Sequence, residues 1–194
     1  MEKEIKIAVR NLSKSYGGTP VLENISFTAD NSRPLCIMAP SGAGKTTLVS
    51  IIMGLEKADS GSIEGTEGKR FSAVFQEDRL CEELSAYMNV IVADESADGD
   101  TVRRLLLSCG LLPEDLYRPV KELSGGQKRR VAIVRALASD SDILIFDEPF
   151  KGLDEETLKS TVKLVQENIN GRLLMVITHD ADLPGRLGAN IFSL

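Results

Sequence analysis

The sequence predicts an α/β fold with a mostly parallel sheet core, an antiparallel β subdomain and a helical insert. Three observations carry this expectation. The short apolar runs Leu35-Cys36-Ile37-Met38, Ile143-Leu144-Ile145-Phe146 and Leu173 to Thr178 read as strands buried on both faces. Helical periodicity separates the last two, which is the alternation of a parallel sheet covered by helices. The opening segment instead places Ile5, Ile7 and Val9 at every second position, the pattern of a half-buried antiparallel strand.

Taken in order, a second antiparallel strand is expected from Val21 to Phe27, after the turn-rich Tyr16-Gly17-Gly18-Thr19-Pro20. The buried strand Leu35–Met38 runs into Ala39-Pro40-Ser41-Gly42-Ala43-Gly44-Lys45-Thr46, and Thr46 to Met53 has helix character stopped by Gly54. Asp59-Ser60-Gly61-Ser62 reads as a turn, and Phe71 to Phe75 as a strand ending at Gln76. From about Ser85 to Leu116 the pattern turns helical, with Val102, Leu105, Leu106 and Cys109 on one face and Pro113 opening a further turn. A helix from Ser124 through about Ala138 and another from about Asp154 to Asn168 flank the strand at Ile143. Neither an internal repeat nor a long linker is visible, so the expected organisation is one domain over 1–194 with a helical subdomain at about 77–123.

Composition narrows the function classes. The 194 residues are 42% hydrophobic and 27% charged, ordinary for a globular chain with a sizeable core. A net charge of −6 without a basic stripe argues against a nucleic-acid partner. Cys36, Cys81 and Cys109 are odd in number and widely spaced, which suits a reducing cytoplasm and suggests neither disulfides nor a zinc knuckle. The amino terminus lacks a signal-peptide pattern, and no stretch approaches the ~20 apolar residues of a membrane span. If the protein serves a membrane, other chains do the crossing.

Chemistry concentrates in three places. In the glycine-rich loop, backbone N–H groups can wrap phosphates, Lys45 can reach the β- and γ-phosphates, and Thr46 can ligate Mg²⁺. A tight strand–helix turn would look similar. The pattern usually starts with glycine, whereas this chain has Ala39, which is tolerable only if φ there is negative. Asp147-Glu148 ends a buried strand, so Asp147 can hold the Mg²⁺ shell and Glu148 can deprotonate a water, a surface turn before Pro149 being the plainer reading. Ser124-Gly125-Gly126 opens a helix, where N–H groups and the helix dipole favour an anion, although a serine there also serves as a cap. Asp94-x-Ser96-x-Asp98-Gly99 imitates a calcium loop but has Leu105 where the bidentate glutamate belongs, and is read as an acidic surface loop.

Together these residues resemble a P-loop NTPase of the ABC type, the ATP-binding subunit of an ABC transporter, over nearly the whole chain. The resemblance implies a phosphate loop formed by Ser41, Gly42, Ala43, Gly44, Lys45, Thr46 and Thr47, and a signature sequence Leu123 to Gln127. It also implies that Gln76 senses Mg²⁺ and the membrane partner, that Asp154 belongs to the loop after the acidic pair, and that His179 is the switch histidine. Tyr16 occupies the place of an aromatic that stacks on adenine. His179 also follows a buried strand, at the end where open α/β sheets bind ligands. The cofactors implied are ATP and Mg²⁺. Implied too is an ATP-sandwich homodimer or heterodimer, in which Ser124, Gly125, Gly126 and Gln127 face the γ-phosphate held by the opposite subunit. The partners would be integral membrane permease subunits and, for an importer, a substrate-binding receptor; the location would be peripheral, on the cytoplasmic face. A subset of Leu80, Cys81, Tyr87 and Met88 is expected to line a groove for a permease helix. The alternative is a soluble ABC-type ATPase such as that of iron–sulfur cluster assembly.

Overall fold

The computed structural model describes residues 4–40, 42–94 and 96–194. They fall into two compact units: the chain up to Phe71 with Asp142–Asp147 and Gly171–Leu194, and Ser72–Ser141 with Glu148–Asn170.

The first unit starts with β1 (Lys6–Tyr16) and β2 (Thr19–Asp30), antiparallel from Lys6↔Asp30 to Tyr16↔Thr19 about a turn at Gly17-Gly18. The fourth strand in chain order, β4 (Ser60–Glu64), joins the other side of β1 with Ala8 opposite Glu64. This corrects the expected turn at Asp59-Ser60-Gly61-Ser62. Gly61 has φ +91°, and a Cβ there would lie 2.5 Å from the carbonyl oxygens of Arg10 and Asn11. Glycine thus serves a close strand approach at the register shift between Arg10 and Ser13, and a turn-like tetrapeptide becomes an irregular strand.

β3 (Leu35–Met38), β6 (Ile143–Asp147), β7 (Leu173–Thr178) and β8 (Asn190–Ser193) form a parallel sheet in the order β6-β7-β3-β8. β5 (Phe71–Val74) leaves from the β6 edge, where the Arg70 carbonyl accepts the N–H groups of Asp142 and Ile143. Every residue of β6 and β7 is buried, as expected of strands covered on both faces. The short edge strand β8 has only Phe192 partly buried and carries no such signal in the sequence. The core of this unit gathers Ile7, Leu12, Leu22, Ile37, Leu48, Ile52, Ile145 and Ile177, joining both sheets and α1 (Lys45–Ile52). Each side chain of this kind contributes roughly 1.5–3 kcal/mol on full burial, which fixes α1 behind β3.

The second unit holds α2 (Ala86–Ile91), α3 (Gly99–Ser108), 3₁₀ turns at Pro113–Tyr117 and Val120–Glu122, α4 (Gly125–Ala138) and α5 (Glu155–Asn168). Each α-helix begins at a capping side chain: Ser85, Asp98, Ser124 and Asp154 accept N–H groups of Met88, Thr101, Gln127 and Thr157. The calcium-like stretch is accounted for in this way, since Asp98 caps α3 while Asp94 accepts from Ser96 and Asp140. Asn89, 2% exposed, bonds the main chain of Cys81, Leu84 and Ser85, tying α2 to the segment before it. No helix among the described residues is long and apolar enough to cross a membrane. The short helix α6 (Leu183–Leu187) lies in the first unit and was not expected.

Candidate active site

In the first unit the register of the parallel sheet brings the pieces of a site to one edge. Met38 ends β3 opposite Thr178, which ends β7, and Asp147 ends β6 opposite Ile177. The glycine-rich loop, Asp147 and His179 therefore emerge at the carboxyl ends of neighbouring strands, where open α/β sheets hold ligands. Asp147 is 6% exposed, and its backbone is set by a ladder with no freedom of register. His179 is exposed one residue beyond buried Thr178.

The loop itself turns through left-handed backbone at Gly42 (φ 85°) and Gly44 (φ 81°). At Gly44 a Cβ would lie 2.8 Å from the Val21 carbonyl oxygen and 2.9 Å from Leu22 Cδ2, so only glycine fits between loop and β2. Ala39 is not among the non-glycine residues with positive φ, and it is buried. The missing first glycine thus costs no backbone strain. Lys45 Nζ donates to the carbonyls of Ala39 and Pro40 at 2.8 and 3.3 Å, which curls the ammonium over the loop. Thr46 is exposed and Thr47 half-buried at the start of α1, while Ala43 N donates to the Pro40 carbonyl. Ser41, expected in the same loop, lies outside the described residues. Tyr16 leaves its ring 47% exposed at the end of β1, with Lys14 Nζ 5.1 Å from the ring centroid.

In the second unit, Ser124 and Gln127 form a reciprocal capping box: Ser124 N–H donates to Gln127 Oε1 at 2.9 Å, and Gln127 N–H to Ser124 Oγ at 3.2 Å. The Gln127 amide also donates to Asp115 Oδ2 at 2.8 Å, and Arg118 pairs with the other oxygen of that carboxylate at 3.1 Å. Gln127 is therefore engaged in holding the helix end. The first-turn N–H groups that the box leaves over belong to Gly125 and Gly126, and a Cβ at Gly125 would meet nothing within 4 Å. Glu148, one peptide bond after Asp147, is 9% exposed and has φ 48°, a left-handed conformation that strains a non-glycine residue and tends to cluster at functional sites. Asp154 caps α5 through the Thr157 N–H and hydroxyl at 2.9 and 2.7 Å, and these bonds hold its carboxyl below the usual range.

The family model described as ABC transporter matches residues 22–151. The chain belongs to the ABC transporter family. It is 34% identical over 193 residues to the spermidine/putrescine import ATP-binding protein PotA of Legionella pneumophila (strain Paris), covering 91% of this chain and 53% of that protein. It is 35% identical over 192 residues to the taurine import ATP-binding protein TauB of Escherichia coli O157:H7, with 91% and 74% covered. The chain thus spans about half the length of the first relative. Among solved structures, it superposes with a TM-score of 0.83 on the ATP-binding cassette MJ0796 in a dimeric post-hydrolysis state bound to ADP and Pi. That match has 27% identity and covers 97% of this chain and 94% of that one.

Within this ABC chain, two functional candidates escaped the sequence reading. Arg129 and Arg135 sit on α4 and reach back to the segment around Gln76. Lys128-Arg129-Arg130 reads in sequence as a basic run inside a helix, with nothing to mark Arg129 as 7% exposed. Gln76 itself is exposed just past β5. Of the four expected groove residues, Cys81 and Met88 are exposed and Leu80 and Tyr87 half-buried. Tyr87 packs on Tyr117 with ring centroids 5.8 Å apart.

Proposed function

We propose that this chain binds and hydrolyses ATP as the nucleotide-binding subunit of an ABC importer. It works as a homodimer or heterodimer on the cytoplasmic face of the membrane, beneath permease subunits and together with a substrate-binding receptor. The proposed organisation is a single ATPase domain over 1–194 with its helical subdomain at about 77–123. The observation that supports this reading most directly is the shared register Met38↔Thr178 and Asp147↔Ile177, which delivers a lysine-bearing phosphate loop, a buried carboxylate and a histidine to one sheet edge. Import is supported by relatives that are import ATP-binding proteins.

The chemistry follows from the residue types. Loop N–H groups from Gly42 to Thr47 and the Lys45 ammonium stabilise charge on the phosphates, and Ser41 adds to the same loop. Glu148, in left-handed backbone directly after Asp147, is the general base for the attacking water. His179 hydrogen-bonds the γ-phosphate, and Tyr16 stacks on adenine. Thr46, Asp147 and Gln76 carry oxygen donors of the type that would hold Mg²⁺, and the ion would supply charge neutralisation at the phosphates. Ser124, Gly125, Gly126 and Gln127 present the opening of α4 to the γ-phosphate on the opposing copy, and Asp154 belongs to the loop facing it. Leu80, Cys81, Tyr87 and Met88 supply anchors for a permease helix.

The test is Glu148→Gln in the purified chain. Hydrolysis should fall roughly 10²–10⁴-fold while ATP still binds, and size-exclusion chromatography in Mg²⁺ and ATP should show accumulated dimer. Turnover close to that of the unsubstituted chain overturns the assignment of the base, and a strictly monomeric profile at high concentration counts against the sandwich.

A further inference from the structure

The segment from Phe75 to Arg79 follows β5 and precedes the helices, with neither a sheet ladder nor a helix to satisfy its backbone. Two arginines of α4 do so instead. Arg129 donates Nη1 to the Phe75 carbonyl at 2.6 Å and Nη2 to the Gln76 carbonyl, while its Nε lies 3.1 Å from Asp78 Oδ1. Arg135 donates to the Asp78 and Arg79 carbonyls at 2.9 and 2.7 Å. The carbonyls of Phe75, Gln76, Asp78 and Arg79 are thus all held by one helix, α4. The ends of the segment also close on each other, because Arg79 has φ 47° and stacks its guanidinium 3.8 Å from the centre of the Phe75 ring.

The arrangement is built, since its central ion pair is withdrawn from solvent. Arg129 is 7% exposed, and burial pushes the Asp78 carboxyl up while Arg129, Arg135 and Lys128 pull it down. A planar guanidinium with several fixed donors can hold two carbonyls and a carboxylate at once; an ammonium, as a point charge, cannot. Removing one partner of such a pair leaves the other buried and uncompensated.

We infer that Arg129 is a positioning residue for Gln76: it fastens the segment bearing that glutamine to the helix whose first turn carries Ser124, Gly125 and Gly126. Displacement at the helix opening is then passed to Gln76 through two carbonyl bonds and an ion pair. This rests on the proposed function, which gives Gln76 its role at the nucleotide site.

The experiment is a double-substitution cycle in the full chain. Arg129→Met and Gln76→Ala are each expected to lower the ATP turnover number about tenfold, with nucleotide affinity, read with a fluorescent ATP analogue, held within about threefold. Because Arg129 acts through Gln76, adding Arg129→Met to Gln76→Ala should cost less than about twofold more. Fully multiplicative losses overturn the inference. Arg129→Lys, which keeps the charge and loses the fork, should fold and still show the loss; turnover like that of the unsubstituted chain overturns it as well. Amide hydrogen exchange separates this inference from the function it rests on. If the chain hydrolyses no ATP, the proposed function fails, yet exchange at 75–79 should still quicken in Arg129→Lys while α4 stays protected. Unchanged exchange there shows that no clamp exists.

Discussion

The two regions that carry the candidate site are held in place by different means. At the sheet edge, Ala39, Asp147 and His179 are set by backbone: each follows or ends a parallel strand whose register with its neighbour is fixed from one end to the other. In the helical unit, Gln76 and the opening of α4 are set by side chains, namely the Ser124–Gln127 box and the arginines that hold segment 75–79. A ladder resists any single substitution, because no one side chain makes it. A tether of side-chain bonds can be cut by one change.

That contrast can be broken first at the chemistry. Lys45→Ala should abolish measurable hydrolysis and weaken ATP binding by about 100-fold or more, since it deletes the cation proposed to meet the phosphates. The sheet should be untouched, so the circular dichroism spectrum and urea midpoint should match those of the unsubstituted chain. Retained turnover would remove the phosphate loop from the site.

Next come two substitutions in one loop with opposite expectations. Gly44→Ala forces a side chain into left-handed backbone against the Val21 carbonyl, and should destabilise by about 1–3 kcal/mol in urea titration while impairing nucleotide binding. Ala39→Gly, at a position without positive φ, should change turnover less than about twofold and lower stability by no more than about 1 kcal/mol through added chain entropy. A large gain in activity would show the natural loop to be impaired.

Gly125→Ala sharpens the comparison in the other unit. A Cβ there meets nothing within 4 Å of its own chain, so the thermal midpoint should hold or rise slightly, alanine being the better helix former. Hydrolysis should nevertheless fall about tenfold or more, because the methyl group crowds the anion approach to the first helical turn. Unaltered hydrolysis would leave the opening of α4 with a capping role alone.

The smallest effect concerns Asp154. Its carboxyl is held below the ordinary range by Thr157, so its contribution is present above the unfolded pKa near 4 and is lost as pH falls through the lower folded value. Asp154→Ala should lower the melting temperature at pH 7 by a few degrees. The difference from the unsubstituted chain should shrink as pH falls below the unfolded value and close once pH is below the folded one; a gap that persists in strong acid would mean the side chain acts by packing.

The sequence by itself determined the elements whose signal is local. Consecutive apolar residues at Leu35, Ile143 and Leu173, in runs too short for a helix, read as strands buried on both faces. Ser124 and Asp154 stand where helix caps stand, and the order of loop, signature and acidic pair carried the family. Tertiary structure alone decided the rest. Asp59-Ser60-Gly61-Ser62 has turn composition, yet it is strand because Gly61 lets β4 approach Arg10 and Asn11, and no local pattern encodes the closeness of a partner. Strand β8 exists because β3 offers it an edge. Ala39 is harmless because of its backbone angle, which residue identity does not reveal. Arg129 lies in a run of basic residues that reads as part of a helix, and its carbonyl contacts appear only when residues more than fifty positions upstream return to α4. Local propensity acts over a few residues, whereas a buried guanidinium is defined by the carbonyls that surround it, and these are assembled only when the chain folds.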